Sequence, residues 1–461
     1  MNELSVLAAA TEAPTRDCLV AQGRAWSFAE VAGRVCVAMA DLQARGVEAG
    51  QRVALVPEAD LDSVLWLYAL FELGCPAVLL HPRLTARERE QLIREVRPAC
   101  SIEGPVPSGH AEPAMIVPTP VPHERALAVV YTSGTGGRSR GAILSRRAFI
   151  ASEAAHADNL GWQAADRWLL CMPPAHVGGL SILTRCLIAR RCAVLSPGAF
   201  DPRATIDAME RDRVTLLSVV PTMLHRLLSC EASVWNPNPE LRAVLVGGAA
   251  FPDALRSLSV RRGIPALATY GCTEACSQVT TQTLDQLGKP GCGEPLRGIE
   301  LRIEPNEIQI RGDVLMDGYL QEEPMSSTWT PDGWLRTGDA GAWLPDGQLV
   351  VRGRIDEIIV TGGENVAPQE VEAWLETVPN VRAACVFSVP HEEWGQQVVA
   401  AIVADKSQLD FDALRARLRA ELAPYKRPKK VCLLESLPLN RSGKTDRAEV
   451  AKRCLGQLRP I

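Results

Sequence analysis

The chain has 461 residues, 47% hydrophobic and 22% charged, enough to build more than one buried core. Its formal net charge of -5, with arginines scattered among acidic residues, offers no basic face to a polynucleotide, so no nucleic-acid partner is expected. Fourteen cysteines lack paired CxxC spacing, and Cys272 and Cys276 have no second pair or nearby His to complete four ligands, which argues against a disulfide framework or a zinc site and for reduced, mostly buried thiols.

Residues 1–10 carry no basic segment ahead of their short apolar stretch, and Glu3 interrupts it. A secretory signal is therefore not expected, and the cytoplasm is. The most apolar segment, 61–80, contains Asp62 and Glu72 and falls short of the roughly 18 to 20 uncharged residues of a membrane span. It reads as a core helix running into a strand, with no membrane span. Up to about residue 230, helical stretches alternate with short apolar runs such as 52–56, 77–80 and 193–195, each bounded by Gly or Pro, which predicts an α/β architecture. After Gly291 the segments 300–304, 307–311 and 348–352 alternate with period two around Pro305-Asn306 and Pro345-Asp346-Gly347, predicting hairpins of a small barrel-like unit. The last hundred or so residues predict a separate α+β domain in the order strand, helix, strand, helix, with strands at 381–389 and 398–403 and an amphipathic helix at 411–422. Its boundary falls in Gly353-Arg354-Ile355-Asp356, between a strand and a Gly-rich turn.

The first chemical signal is Thr132-Ser-Gly-Thr-Gly-Gly-Arg-Ser-Arg-Gly141, directly after the buried-strand pattern at 126–131. Small residues let successive backbone N–H groups approach a polyphosphate, while Thr132, Ser133 and Thr135 add hydroxyls and Arg138 and Arg140 add positive charge. Composition alone leaves a phosphate cradle and an ordinary surface loop both open. Spacing excludes two familiar motifs. Pro438 stands where a Walker loop ending at Gly443-Lys444-Thr445 needs a glycine, and Ser139 where a dinucleotide fingerprint begun at Gly134 needs its third.

Four more elements follow: Tyr270-Gly-Cys-Thr-Glu274, Trp334-Leu-Arg-Thr-Gly-Asp339, Gly353-Arg-Ile-Asp-Glu-Ile-Ile-Val-Thr-Gly-Gly-Glu-Asn365 and Pro438-Leu-Asn-Arg-Ser-Gly-Lys444. With the loop at 132–141, they resemble in kind and order the signatures of the adenylate-forming superfamily: acyl-CoA synthetases, luciferases and peptide-synthetase adenylation domains. The resemblance spans nearly the whole chain. It implies a large N-terminal domain of α/β layers with a small β-barrel-like subdomain, 1–353, and a small mobile C-terminal α+β lid, 354–461. It also implies ATP, Mg2+ and coenzyme A, and a small-molecule carboxylic acid as substrate.

The resemblance further implies residue roles. Thr132, Ser133, Gly134, Thr135, Gly136, Gly137 and Arg140 would cradle the phosphates. Glu274 would hold Mg2+, a hard cation that takes oxygen ligands, with the Thr273 hydroxyl beside the α-phosphate. Gly248, Ala249 and Ala250, with Tyr270 and Gly271, would border the nucleotide, and Asp339 would accept the ribose hydroxyls with Arg354 nearby. Taken singly, these read equally as a capping Thr, a surface Glu and turn residues. Lys444 would stabilise the charge that builds during adenylation. Asp356 would be the hinge, and Gly362 and Gly363 would leave room for the pantetheine arm. The loop departs from the family pattern TSGTTGxPKG, in that Gly136 replaces a Thr, Ser139 a Pro and Arg140 a Lys. Charge is retained, but one hydroxyl and some rigidity are lost.

Within the superfamily the chain is most similar to the o-succinylbenzoate:CoA ligases of menaquinone biosynthesis, which are likewise short. Tyr270-Gly-Cys-Thr-Glu-Ala-Cys-Ser-Gln278, Pro173-Pro-Ala-His-Val-Gly-Gly-Leu180 and His81-Pro-Arg-Leu-Thr85 resemble that group's YGxTExxSQ, PLFHxxGL and NxRL segments, with Ala175 in place of Phe. An aromatic dicarboxylate needs apolar walls, polar donors and a positive group. The candidates are His176, which is also a catalytic candidate, Gly179, Ser181, Ser277, Gln278 and Arg83. His176 reads equally as a gate or core histidine, and Arg83 as a surface or helix-start residue. Another aryl- or acyl-CoA ligase, an amino-acid adenylating enzyme and a non-catalytic nucleotide-binding relative remain as alternatives, and a homodimer is the assembly kept in view.

Overall fold

The computed structural model describes residues 4–109, 120–132, 140–196, 198–230, 235, 237–320, 327–405, 409–440 and 444–461. They divide into two compact units, Met1–Gly248, Ser259–Leu301 and Ile310–Arg336 in the first, and Ala249–Leu258, Arg302–Gln309 and Thr337–Ile461 in the second.

The first unit is α/β, as its alternation of helical and short apolar segments predicts. Its nine-stranded sheet has a parallel centre in the order Ala266–Cys272, Ala243–Val246, Leu216–Val219, Arg167–Leu170, Cys192–Leu195 and Asp17–Ala21. Antiparallel strands close both edges, Ser277–Thr281 and Glu294–Pro295 at one and Arg24–Ser27 at the other. The central strands are buried along their length, which is why they read as unbroken apolar runs and not as alternating ones. A second sheet of six strands runs Gly318–Tyr319, Arg140–Ser145, Ala126–Thr132, Ala77–Leu79, Val53–Leu55 and Cys100–Ser101. The segment expected to pass from core helix to strand does so, as helix Leu61–Leu73 and strand Ala77–Leu79. That helix is capped by the Asp60 side chain and by Gly74 in the left-handed conformation, and its residues 64–72 are all buried. No helix among the described residues is long and apolar enough to cross a membrane.

The predicted hairpin strands appear as Ile299–Ile303 and Glu307–Gly312, in a four-stranded sheet with Leu335–Trp343 and Leu349–Arg354. The sequence boundary at 353/354 therefore falls inside the second unit. Strand Leu335–Trp343 pairs with Leu349–Arg354 from Asp339↔Arg354 to Trp343↔Leu349. A Cβ added at Gly353 would lie 2.1 Å from the Gln369 side chain, so this hairpin packs closely on helix Pro368–Leu375.

The rest of the second unit is an α+β sheet built on strand Gly395–Ala404. It pairs antiparallel with Val381–His391 through a tight connection and parallel with Lys430–Leu434. The two predicted strands at 381–389 and 398–403 are thus immediate partners, and the helix expected between them is replaced by a short turn, because residues 392–394 are too few to form one. Period-two alternation sends Val398, Ala400 and Ile402 to a core with Val371, Leu375, Leu414 and Leu418. Val399 and Ala401 face the opposite core, with Phe387, Cys432, Val450 and Cys454. Ten of the fourteen cysteines are buried, and their thiols lie in such cores.

Candidate active site

In the first unit, strands Ala126–Thr132 and Arg140–Ser145 form an antiparallel hairpin whose last pair is Thr132↔Arg140. Ser133, Gly134, Thr135, Gly136 and Gly137 lie between them, outside the described residues. At the base of this connection the Arg140 guanidinium lies 4.0 Å over the ring of Tyr319, and the Tyr319 hydroxyl donates to Glu274 Oε1 at 2.5 Å. Burial, then the neighbouring Glu274 carboxylate, raises the Tyr319 pKa far above its ordinary range, so the phenol remains a donor at any working pH. Glu274 reaches this point because strand Ala266–Cys272 passes into a single turn of 3-10 helix, Thr273–Ala275, and because Met316 N donates to the Glu274 carbonyl at 2.8 Å. The donors this turn presents, a carboxylate and the Thr273 hydroxyl, are hard oxygens that suit magnesium better than a softer metal.

The turn is tightly determined. A Cβ on Gly271 would sit 1.6 Å from the Ser277 carbonyl oxygen, so only glycine fits there. Beyond it, Cys276 and Ser277 hold positive φ values of 50° and 92° without being glycine, a strain of the kind that clusters at functional sites. Arg185, fully enclosed in helix Val177–Ile188, braces this strained segment. It donates to Gln278 Oε1 at 2.5 Å and to Ser152 Oγ at 2.8 Å, and Ser152 donates in turn to the Cys276 carbonyl at 2.9 Å. Burial lowers the Arg185 pKa to about 10, which leaves it charged at neutral pH.

The acid-side candidates differ in what they can offer. His176 is the N-cap of helix Val177–Ile188, and its ring lies 4.7 Å from that of His81. Gly179 is required by close approach, since a Cβ there would lie 2.5 Å from the Pro173 carbonyl. The Ser181 hydroxyl donates back to the Val177 carbonyl within the helix, and the Gln278 amide is engaged by Arg185 and Thr281, so both are buried in protein-internal bonds. Ser277 is half-buried at the strained turn, and Arg83 is exposed, with its N–H donating to His81 Nδ1 at 3.1 Å. Gly248, at φ 77°, stands two residues past strand Ala243–Val246 and leads into Ala249 and Ala250. Tyr270 is buried near the end of the neighbouring strand.

In the second unit, Asp339 and Arg354 are cross-strand partners joined by an ion pair of 3.3 Å. Arg354 also donates to the Thr337 carbonyl at 2.6 Å and to Asp356 Oδ1 at 3.1 Å, so one guanidinium links the ribose candidate to the hinge candidate. Burial works against its charge, but Asp339 and Asp356 outweigh that and raise its pKa. Gly338 is needed because its φ is 70° and a Cβ would lie 2.4 Å from Arg354. Gly362 and Gly363, at φ 57° and 85°, form the two-residue turn between strands Ile359–Thr361 and Glu364–Val366, a type I′ geometry that itself demands glycine. Lys444 is exposed at a tight turn. Its N–H donates to Asn440 Oδ1 at 3.0 Å, and its carbonyl accepts from Asn440 N at 2.7 Å.

Two residues in these clusters, Tyr319 and Arg185, carried no motif, and a third, His81, carried only a weak one. Tyr319 comes from a two-residue strand that joins by sheet pairing, which no local pattern announces. Arg185 had a signal, a lone cation in an otherwise apolar helix. His81 was legible only as part of a weak segment match.

Most of the chain fits one family. Residues 6–320 match the AMP-binding enzyme model and residues 370–444 match the AMP-binding enzyme C-terminal domain, so the chain belongs to the AMP-binding enzymes. Within that class it is 33% identical to the 2-succinylbenzoate–CoA ligase of Bacillus pumilus, over 94% of each chain. Among solved structures it is similar to the o-succinylbenzoate CoA synthetase (MenE) of Bacillus subtilis in complex with the acyl-adenylate OSB-AMP, with a TM-score of 0.87, 28% identity and 97% of each chain covered. The same enzyme in complex with ATP and magnesium ion matches with a TM-score of 0.87 and 28% identity, over 97% of this chain and 98% of that one.

Proposed function

We propose that this protein is an ATP-dependent 2-succinylbenzoate–CoA ligase. The observation that carries the reading is similarity to 2-succinylbenzoate–CoA ligases along practically the full length of both chains, with all five nucleotide-site elements in order. In the first step a carboxylate oxygen of the acid attacks the α-phosphorus of ATP, the bond to the bridging oxygen breaks, and pyrophosphate leaves. In the second step the coenzyme A sulfur attacks the acyl carbon, the carbonyl reforms, and AMP leaves as the thioester forms.

The chain's residues serve these steps by position and charge. Backbone N–H groups and hydroxyls of Thr132, Ser133 and Thr135 hold the phosphates, with Arg140 adding charge. Magnesium, when bound with ATP, would neutralise phosphate charge; Glu274 would be its protein ligand, and the Thr273 hydroxyl would lie beside the α-phosphate. Asp339 and Arg354 hold the ribose. Lys444 stabilises the negative charge shared by attacking and α-phosphate oxygens. His176, Gly179 and Ser277 shape the acid site, while Ser181 and Gln278 support it from within. Residues 354–461 act as a lid that pivots about Asp356, withdrawing Lys444 after adenylation and presenting Gly362 and Gly363 to the pantetheine arm. The enzyme works on small molecules in the cytoplasm, and light scattering of the purified protein tests the homodimer.

ATP–pyrophosphate exchange across a panel of acids, followed by thioester formation with and without coenzyme A, tests the assignment. Exchange should be strongest with 2-succinylbenzoate. Exchange driven better by a monocarboxylate or an amino acid would replace that substrate, and no exchange with any acid would make the protein a nucleotide binder. Lys444→Ala should lower adenylate formation by about a hundredfold or more while thioester formation from supplied acyl-adenylate changes little. Equal loss of both half-reactions would exclude a lysine that acts only in the first.

A further inference from the structure

We infer that Arg447 is a positioning residue that ties the hinge segment to the turn carrying Lys444, so that rotation about Asp356 is delivered to the lysine. The inference rests on the roles proposed above for Lys444 and Asp356. Arg447 opens helix Arg447–Cys454, three residues after Lys444. Its Nε lies 3.4 Å from Oε2 of Glu357, the residue directly after Asp356, an ion pair without a hydrogen bond. Its Nη1 pairs with Glu372 of helix Pro368–Leu375 and donates to the Val386 carbonyl. Glu357 Oε2 also accepts from Gln369 Nε2 at 3.2 Å.

From Arg447 the bonding continues to the lysine. Asp446 caps the helix by accepting from Glu449 N at 3.0 Å, and its own N–H donates to the Pro438 carbonyl at 2.8 Å. Leu439 and Thr445 form an isolated antiparallel bridge, and inside it Asn440 grips Lys444 from both sides. The helix start needs only the Asp446 cap, yet an arginine with a side chain only 21% exposed gathers two carboxylates and a carbonyl beside it. These contacts hold the arginine in place, and with it the start of the helix that follows Lys444.

The coupling is selective. Gly362 and Gly363 follow Asp356 along one short run of chain, through strand Ile359–Thr361. Lys444 comes far later in sequence and reaches the hinge through Arg447. Loosening this tie should therefore degrade adenylation, which needs Lys444 placed to within about an ångström, before it degrades thioester formation.

The test compares Glu357→Gln and Arg447→Met with wild type. Because loss of a buried cation puts folding of the second unit at risk, Glu357→Gln, which keeps the Arg447–Glu372 pair, carries the test, and thermal melts accompany both variants. Glu357→Gln should slow adenylation about tenfold and Arg447→Met about a hundredfold, at near-normal KM for ATP and acid, with thioester formation from supplied acyl-adenylate within about threefold of wild type. Amide hydrogen exchange over 438–446 should speed up in both variants without any substrate present. Equal losses in both half-reactions, or unchanged exchange over 438–446 in Glu357→Gln, would overturn the inference. A wild-type enzyme inactive on 2-succinylbenzoate would instead sink the substrate assignment alone, because the exchange measurement needs no acid.

Discussion

Glu274 is fixed before any ligand arrives, because the Tyr319 phenol holds one of its carboxylate oxygens and the Met316 N–H holds its backbone carbonyl. A carboxylate pinned in this way loses little rotamer freedom on meeting a cation. Tyr319→Phe removes the donor and keeps the ring under Arg140, so its effect isolates the hydrogen bond. A bond to a charged group contributes roughly 1.5–3 kcal/mol, and KM for ATP with magnesium should rise about tenfold while KM for the acid changes little. Steady-state kinetics with each substrate varied decides this, and a parallel rise in both KM values would mean that Tyr319 only shapes the turn. The two residues differ in legibility. Glu274, Asp339 and Lys444 sit in contiguous motifs because each must follow a particular turn, whereas Tyr319 is recruited across a sheet from a segment with no pattern of its own.

At the scale of elements, the start of helix Val177–Ile188 carries Gly178 and Gly179 side by side, and only Gly179 stands where the PLFHxxGL-like segment has its glycine, a difference for which the structure gives a physical reason. A Cβ on Gly178 would meet the Met172 methyl at 3.4 Å, ordinary contact with a flexible side chain, while one on Gly179 would lie 2.5 Å from the Pro173 carbonyl oxygen. Gly178→Ala should hold or raise the melting temperature, since alanine in a helix is favoured by about 0.5–1 kcal/mol. Gly179→Ala should lower it, by about 1–3 kcal/mol of stability, and raise KM for the acid as the Pro173–His176 segment is pushed away. Melts of the two variants side by side check this, and equal behaviour would refute the packing argument. The strands themselves were well marked in sequence, because buried parallel strands are short apolar runs and the hairpin at 299–312 alternates cleanly. The pairing of 381–391 with 395–404 was less so. Two strands flanked by helical segments do not by themselves state whether they meet directly or through a helix.

For the molecule as a whole, composition and the order of motifs pointed to more than one folding unit, but not to where the chain divides. The stretch at 353–356, between a strand and a Gly-rich turn, looks like a boundary, yet the hairpin before it is hydrogen-bonded into, and packed within, the unit that follows, and only contacts distant in sequence reveal that. A hinge and a compactness boundary are different properties, and Asp356 is proposed only as the first. The stability of the second unit should also respond to mild acid. Burial, against the opposing Ala384 N–H and with added repulsion from Glu372, pushes the Glu376 carboxyl up to about 7, from 4.5. A raised folded-state pKa means that the folded chain binds more protons than the unfolded one between those values. The stabilisation is therefore fully present below about pH 4.5, falls as pH rises, and is lost above about pH 7. Glu376→Gln mimics the protonated form and can still accept from Ala384 N, which lies 3.3 Å from the carboxyl. It should raise the melting temperature of this unit at pH 8 by about 2–4 °C, with a smaller gain at pH 5, where much of the native carboxyl is already neutral. Calorimetric melts at the two pH values measure this difference directly, and an equal gain at both would show that Glu376 ionises as an ordinary carboxylate.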